Sequence, residues 1–216
     1  MDGVPMRERR IDVLARMFYM PDEFSFPNVP LWKYFNDWAT FYPSFREEVC
    51  RRCLDEFEMS DLSDLGHLSL GEFKKAMIAF ALAVRPKFLL MDEPTNGLDI
   101  PSKAIFRKML MREVRDDAAV VISTHQVHDV ENLLDYLLVL RDNRTLWSMS
   151  TQEVMARYRF GSSPTADGAL YAEPAPEGFR VVEPNTSGED SAIDLELLYN
   201  AVTKAPSLPF PSKGGE

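Results

Sequence analysis

The sequence is short of cysteine, of early glycine, of net positive charge and of long apolar runs, and each shortage excludes something. Only two cysteines, Cys50 and Cys53, occur in 216 residues, too few for a disulfide framework. They have no matching second pair or histidine set at zinc spacing. With Arg51, Arg52 and Asp55 around them, they read as two thiols on one side of a helix. Lysine and arginine total 24 against 34 aspartates and glutamates, a net charge of −10. That balance is a poor match for nucleic-acid phosphates and points away from a nucleic-acid partner. The longest apolar run, Ala76 to Val84, is about half of the roughly 18 residues a membrane span requires. Met1 to Arg16 has no apolar segment of the secretory kind. These readings predict a soluble, reduced, cytoplasmic protein. Finally, Gly3 is the only glycine before Gly66, and no Gly-Lys pair occurs anywhere. A glycine-rich phosphate loop ending in Gly-Lys-Ser/Thr is therefore not written in these residues.

What is present suits a globular chain. Hydrophobic residues make up 45% and charged residues 27%, enough for a sizeable core. The first 20 residues show no clean period. Pro21 to Pro30 punctuates a loop, and residues 31–45 carry Trp32, Tyr34, Phe35, Trp38, Phe41, Tyr42 and Phe45. Residues 46–58 read as a charged helix and Leu70 to Val84 as a strong one. Phe88 to Met91 and Ala118 to Ile122 are uninterrupted apolar runs, which predict strands buried on both faces. Ser102 to Arg115 is amphipathic, and Asp129 to Leu134 is helical in pattern. Tyr136 to Leu140 predicts a third strand, with a turn at Asp142-Asn143 leading toward Thr145 to Trp147. Strands alternating with helices predict an α/β fold with a mainly parallel sheet. Ser162 to Gly168 has linker composition. Beyond it, Phe179 to Val182 and Ile193 to Val202 predict a strand and a helix, and Pro206 to Glu216 a disordered tail.

Three segments carry candidate chemistry. The run Phe88–Met91 ends in Asp92 and Glu93. Charge at the carboxyl end of a buried strand is where parallel sheets place ligands. One carboxylate suits Mg²⁺ and the next suits orienting or deprotonating a water for attack on phosphorus. A plain strand running into a solvated loop accounts for the same residues. Ser69 and Glu72 have capping-box spacing, flanked by Leu68 and Phe73 at staple positions. This is either a well-capped helix or a helix N-terminus that meets a phosphate, with Gly71 allowing close approach. The run Ala118–Ile122 ends in Ser123-Thr124-His125, where His125 is either a phosphate contact or a helix cap.

Taken together, Leu-Ser-x-Gly-Glu at 68–72, Leu-Leu-Met-Asp-Glu-Pro-Thr-Asn-Gly-Leu-Asp at 89–99 and Ile-Ser-Thr-His at 122–125 resemble the nucleotide-binding subunits of ATP-binding cassette (ABC) transporters. Each motif alone is weak; the three in order are specific. The resemblance covers roughly residues 8–150. It implies an incomplete P-loop ATPase core (residues 1–160) with a helical subdomain at about 23–84, a linker at 161–168 and a small C-terminal extension at 169–205. It implies Ser69, Gly71 and Glu72 in the signature motif, Asp92 as the Walker B aspartate and metal ligand, and Glu93 as the catalytic glutamate. Asp99 would be the D-loop aspartate at the subunit interface and His125 the switch histidine. Tyr19-Met20-Pro21-Asp22 resembles the Q-loop, with Asp22 in place of the usual glutamine. The implied cofactors are ATP and Mg²⁺. The implied partners are a membrane permease and a second nucleotide-binding subunit, at the inner face of the membrane.

The sequence departs from the family at Leu70, Glu72 and Asp22, and above all in lacking Walker A. The expectation is therefore a truncated copy, inactive alone and poorly stable because strand edges lose their partners. Two alternatives stand beside an ATPase subunit. One is a non-catalytic partner that supplies Ser69 and Gly71 in trans. The other, a soluble cassette acting on ribosomes or DNA, is disfavoured by the charge.

Overall fold

A computed structural model describes residues 3, 5–23, 27–59, 64–188 and 191–204. The tail expected at 206–216 lies outside the described residues, as do residues 60–63. The chain divides into two compact units, Met1–Asp129 and Val130–Glu216.

In the first unit a single-turn helix α1 (Ile11–Leu14) leads into β1 (Met17–Met20). Three helices follow: α2 (Leu31–Ala39), α3 (Glu47–Glu56) and α4 (Leu70–Val84). Next come β2 (Phe88–Asp92), α5 (Ile100–Glu113) and β3 (Ala119–Ser123). The strands form a parallel sheet in the order β1-β2-β3. The sequence assigned no element to residues 11–20. The α1 turn and four-residue β1 are too short to show a period.

Helix α4 is the centre of this unit. Ser69 and Glu72 close a complete capping box at its start, as the spacing predicts. At its other end Arg85 takes a left-handed C-cap conformation (φ 50°), and Pro86 stops the helix. The last carbonyls are not orphaned: Ala83 accepts from the Arg46 N–H at 2.8 Å and Val84 from the Ser44 hydroxyl at 2.6 Å. Every residue from Ala76 to Val84 is buried, which explains a helix that is apolar all round. The aromatic segment is organised on it. Phe80 lies within 4.8 to 6.4 Å, centroid to centroid, of the rings of Phe35, Phe45, Phe18 and Tyr42. Trp38 and Phe41 stay 44% and 66% exposed.

Between α3 and α5 the buried Glu113 carboxylate accepts two bonds from the Arg52 guanidinium at 2.8 Å and one from Arg112 at 2.6 Å. Cys50 and Cys53 are both fully buried on α3.

One expectation fails here. The runs at β2 and β3 predict burial on both faces, yet the sheet is covered on one. Phe18, Met20, Leu89 and Met91 are buried, while Tyr19 and Val121 on the opposite face are 58% and 55% exposed. The register aligns Tyr19, Leu90 and Val121 across the three strands on that open face.

In place of the helix read at Asp129 to Leu134 stand two 3-10 turns, Val127–Asp129 ending the first unit and Glu131–Leu133 opening the second. The strand read at Tyr136 to Leu140 is β4 (Tyr136–Arg141). It pairs antiparallel with β5 (Arg144–Ser150) rather than joining the parallel sheet. Asp142 and Asn143, at φ 51° and 58°, make the tight two-residue connection such a hairpin favours. Helix α6 (Thr151–Arg157) starts on a second capping box, Ser150 with Glu153. An antiparallel sheet β6-β8-β7 follows, from β6 (Tyr158–Ser163), β7 (Tyr171–Ala175) and β8 (Gly178–Pro184). Helix α7 (Leu195–Lys204) packs Leu197, Leu198, Ala201 and Val202 into one core with Trp147, Met149, Val154, Phe160 and Val182.

The domain boundaries differ from the sequence reading. Gly161 to Ser163, read as linker, pair with Val181, Arg180 and Phe179; small polar residues are tolerated on an edge strand, and composition does not register the ladder. β4, β5 and α6, read as part of the first domain, share a core with the 169–205 segment.

Candidate functional site

The site is built where β2 and β3 end. The parallel register pairs Asp92 with Ser123, so the residues that follow each strand come out side by side. Asp92 shares the open face with Leu90. It accepts a 2.5 Å hydrogen bond from the Ser123 hydroxyl, at the edge of a shallow cavity of about 160 Å³ lined by Tyr19, Leu90, Met91, Asp92, Val121 and Ser123. Glu93 turns the chain out of the strand through a left-handed conformation, φ 44°. A bulky side chain at such a φ costs roughly 1 kcal/mol or more and persists only when its surroundings hold it.

The Glu93 surroundings are well defined. Its N–H donates to the Ser123 carbonyl at 2.8 Å. Its carboxylate accepts from the Thr124 hydroxyl at 2.9 Å, the His125 N–H at 2.9 Å and the His125 ring, Nδ1 lying 2.6 Å away. Its carbonyl accepts from the Asn96 N–H at 3.1 Å and from the Lys74 ammonium at 2.9 Å. The His125 side chain is 71% exposed and that of Glu93 17%. Two residues 32 apart in sequence are thus in direct contact, one inward and one facing solvent.

Asp22, two residues past β1, joins this group through Lys74. Its Oδ1 accepts from Lys74 at 2.8 Å and from the Asn96 amide at 3.3 Å. The Lys74 hydrogen bond, with Asn96 helping, holds the Asp22 carboxyl below the usual carboxylate range against the opposing effect of burial.

Ser69, Gly71, Glu72 and Asp99 form a second group at the starts of α4 and α5. The Ser69 N–H and hydroxyl donate to Glu72 Oε2 at 2.8 and 2.7 Å, and these bonds lower the Glu72 carboxyl from its ordinary range. Asp99 caps α5 by accepting from the Ser102 N–H at 2.8 Å, and the Ser102 side chain, with that N–H, lowers its carboxyl likewise. Lys75 lies 3.7 Å from it. The backbone space beside Gly71, read from sequence as room for a ligand, is taken on one side by this chain: a Cβ there would lie 2.9 Å from the Gly97 carbonyl oxygen.

Three partners went unread in the sequence: Lys74, Asn96 and Thr124. Lys74 carried a usable signal, since it precedes Met77 and Ile78 by three and four residues and so shares their buried stripe. Asn96 and Thr124 lie inside the quoted motifs, but nothing there marked them as partners of Asp22 or Glu93.

The donor set bears on the implied cofactors. Asp92 and the Ser123 hydroxyl offer hard oxygens suited to Mg²⁺. Among the described residues no group of three or more His, Cys, Asp and Glu side chains is placed to hold a metal, so these oxygens fit part of a shell completed by water and phosphate. A phosphate cradle is not among these residues.

Residues 14–96 match the sequence model of the family described as ABC transporter. The ABC transporter ATP-binding protein YtrB of Bacillus subtilis is 26% identical over 159 residues, 73% of this chain and 54% of that protein. The energy-coupling factor transporter ATP-binding protein EcfA of Methanosphaera stadtmanae is 33% identical over 113 residues, covering 50% of this chain and 41% of that one. The chain spans about half the length of the curated relatives it matches. Among solved structures, an ATP-binding subunit of an ABC transporter superposes with a TM-score of 0.63 at 22% identity, covering 71% of this chain and 67% of that one. A dimeric ATP-binding cassette bound to ADP and Pi does so at 0.56 and 19%, covering 69% and 68%. These structural likenesses carry the fold.

Proposed function

We propose that this chain, which belongs to the ATP-binding subunits of ABC transporters, supplies the water-activating and partner-covering residues of a nucleotide site that energises a membrane permease. The observation that carries the reading is the convergence of Asp92, Glu93 and His125 at the paired ends of β2 and β3, with Nδ1 of His125 2.6 Å from the Glu93 carboxylate.

Each residue has a role its chemistry suits. When Mg-ATP is bound, the metal polarises the phosphates. Asp92 is the carboxylate placed to ligate it. Glu93 orients the attacking water and takes its proton, a general-base role for a carboxylate held by fixed donors. His125, exposed and tethered only at its inner edge, donates toward the terminal phosphate. The N-terminus of α4, with Ser69 and Gly71, serves the site of a second cassette, where its free N–H groups and positive dipole end suit phosphate. Asp99 lies beside that surface. On this reading the working protein sits at the inner face of a membrane in contact with a permease. Among the described residues no helix is long and apolar enough to cross a membrane.

One observation favours a second reading, in which the chain lends only its signature helix. Both Glu93 oxygens already accept from Thr124 and His125, Oε1 twice and Oε2 once, so of its roughly four acceptor sites a single Oε2 lone pair is left to take a proton. Glu93→Gln separates the two readings. The transporter is purified through a tag on this chain and its ATP turnover measured. A fall of about 100-fold or more supports the catalytic role, which general-base contributions of roughly 10²–10⁴ imply. Unchanged turnover leaves only the covering role.

A further inference from the structure

Lys74 is the most completely buried charged group in the described protein, at 0% exposure, on a helix whose other buried side chains are all apolar. A buried ammonium is costly unless its donors are used. Two of its hydrogen bonds are visible, and they run to different segments: the Asp22 carboxylate after β1 at 2.8 Å, and the Glu93 main-chain carbonyl after β2 at 2.9 Å. Asn96 closes the arrangement, its side-chain amide donating to Asp22 at 3.3 Å and its N–H to the same Glu93 carbonyl at 3.1 Å.

The target of the second bond is the informative part. Glu93 is the non-glycine residue held at φ 44° where β2 ends, and its carboxylate direction follows from that turn. We propose that Lys74 is a positioning residue: its ammonium grips the Glu93 carbonyl and fixes the left-handed turn that aims the Glu93 carboxylate at Thr124 and His125, with Asp22 as the counter-ion that makes the buried charge tolerable. Asp22 then acts through Lys74, and the segment after β1 is tied to the reacting carboxylate through one side chain. The catalytic half of this inference rests on the function proposed above; the structural half does not.

The test uses the full chain with two variants. Lys74→Met removes the charge at similar length but strands Asp22. Lys74→Met combined with Asp22→Leu replaces the pair by apolar groups, which commonly restores stability without restoring a donor to the Glu93 carbonyl. Amide hydrogen exchange is read by NMR at Glu93 and Asn96, with the amides of α5 as an internal check on folding. The expected result is exchange at least about 10-fold faster at Glu93 and Asn96 in both variants, unchanged in α5 in the double variant. In the purified transporter, the double variant should lower kcat with KM for ATP preserved. Exchange at Glu93 and Asn96 equal to wild type in a folded double variant overturns the proposal. Faster exchange with unchanged turnover keeps the grip and removes its catalytic consequence. If Glu93→Gln also leaves turnover unchanged, the failure belongs to the functional reading.

Discussion

Replacing Gly71 by alanine sets two known effects against each other, and the structure decides the sign. Alanine is favoured over glycine by up to about 1 kcal/mol in a helix interior. Gly71 stands at the second position of α4, so its helical gain is smaller than in the interior. Against this, the added Cβ would lie 2.9 Å from the Gly97 carbonyl oxygen. That oxygen belongs to backbone, so no side-chain rotation relieves the contact. α4 is anchored by its capping box and buried length, so it is the turn at 95–97 that must shift. That turn runs into the α5 cap at Asp99 and carries Asn96, bonded to Asp22. Overpacking of this kind costs about 1–3 kcal/mol, giving a net loss of roughly 1 kcal/mol and a Tm lower by about 2–4 °C. Urea unfolding of wild type and Gly71→Ala tests it. Leu70→Ala is the control, because Leu70 is 50% exposed and should move stability by about 0.5 kcal/mol or less. A Gly71→Ala midpoint at or above wild type would refute the claim that Gly97 crowds this position.

Glu113→Gln should destabilise the first unit by about 1–3 kcal/mol at pH 7, less than a fully buried pair because Arg52 and Arg112 are 46% and 36% exposed. Burial pushes the Glu113 carboxyl up, but hydrogen bonds from Arg52 and Arg112 outweigh it and leave it below its ordinary value. The stabilisation is therefore complete above the unfolded carboxyl value of about 4.3 and is lost as pH falls through the lower folded value. Unfolding curves from pH 7 to 3 should show wild type and variant converging at the acid end, and a constant gap would contradict this. Cys50 and Cys53, fully buried with thiols raised by burial, Cys53 to about 11, should react with a thiol reagent only on unfolding. Rapid titration of either in native protein would show that α3 opens.

The functional segments were legible where local rules decide the outcome. Leu70–Val84 and its capping box follow from spacing and composition alone, as does the Asp142-Asn143 hairpin turn. That Glu93 and His125 serve one site was legible only as what a resemblance implies, and their direct contact was not read at all. Its physical cause is the register of two parallel strands, a long-range fact no window of sequence contains. Lys74 was missed because a lysine pair looks solvated by default; only the tertiary position of α4 turns one of the two inward. The boundary near Ser162 misled for the opposite reason, since serine and glycine suit a linker and an edge strand equally.

The same logic gives meaning to the largest mismatch. β2 reads Phe-Leu-Leu-Met and β3 Ala-Val-Val-Ile, without the polar alternation of strands that face water on one side. Yet on the face shared by Tyr19, Leu90 and Val121, Tyr19 and Val121 are exposed and Leu90 is half-buried. Leaving a Val or Leu side chain in water forgoes roughly 1.5–3 kcal/mol each, and no opposing local constraint, such as a turn or cap, accounts for apolar residues there. Asp92 and Ser123 lie on this face, at the rim of its cavity. Polar metal-suited oxygens at the end of an apolar face are what a ligand-binding strand end presents. On the function proposed above, the Asp92 carboxylate belongs to a site rather than to the start of a solvated loop.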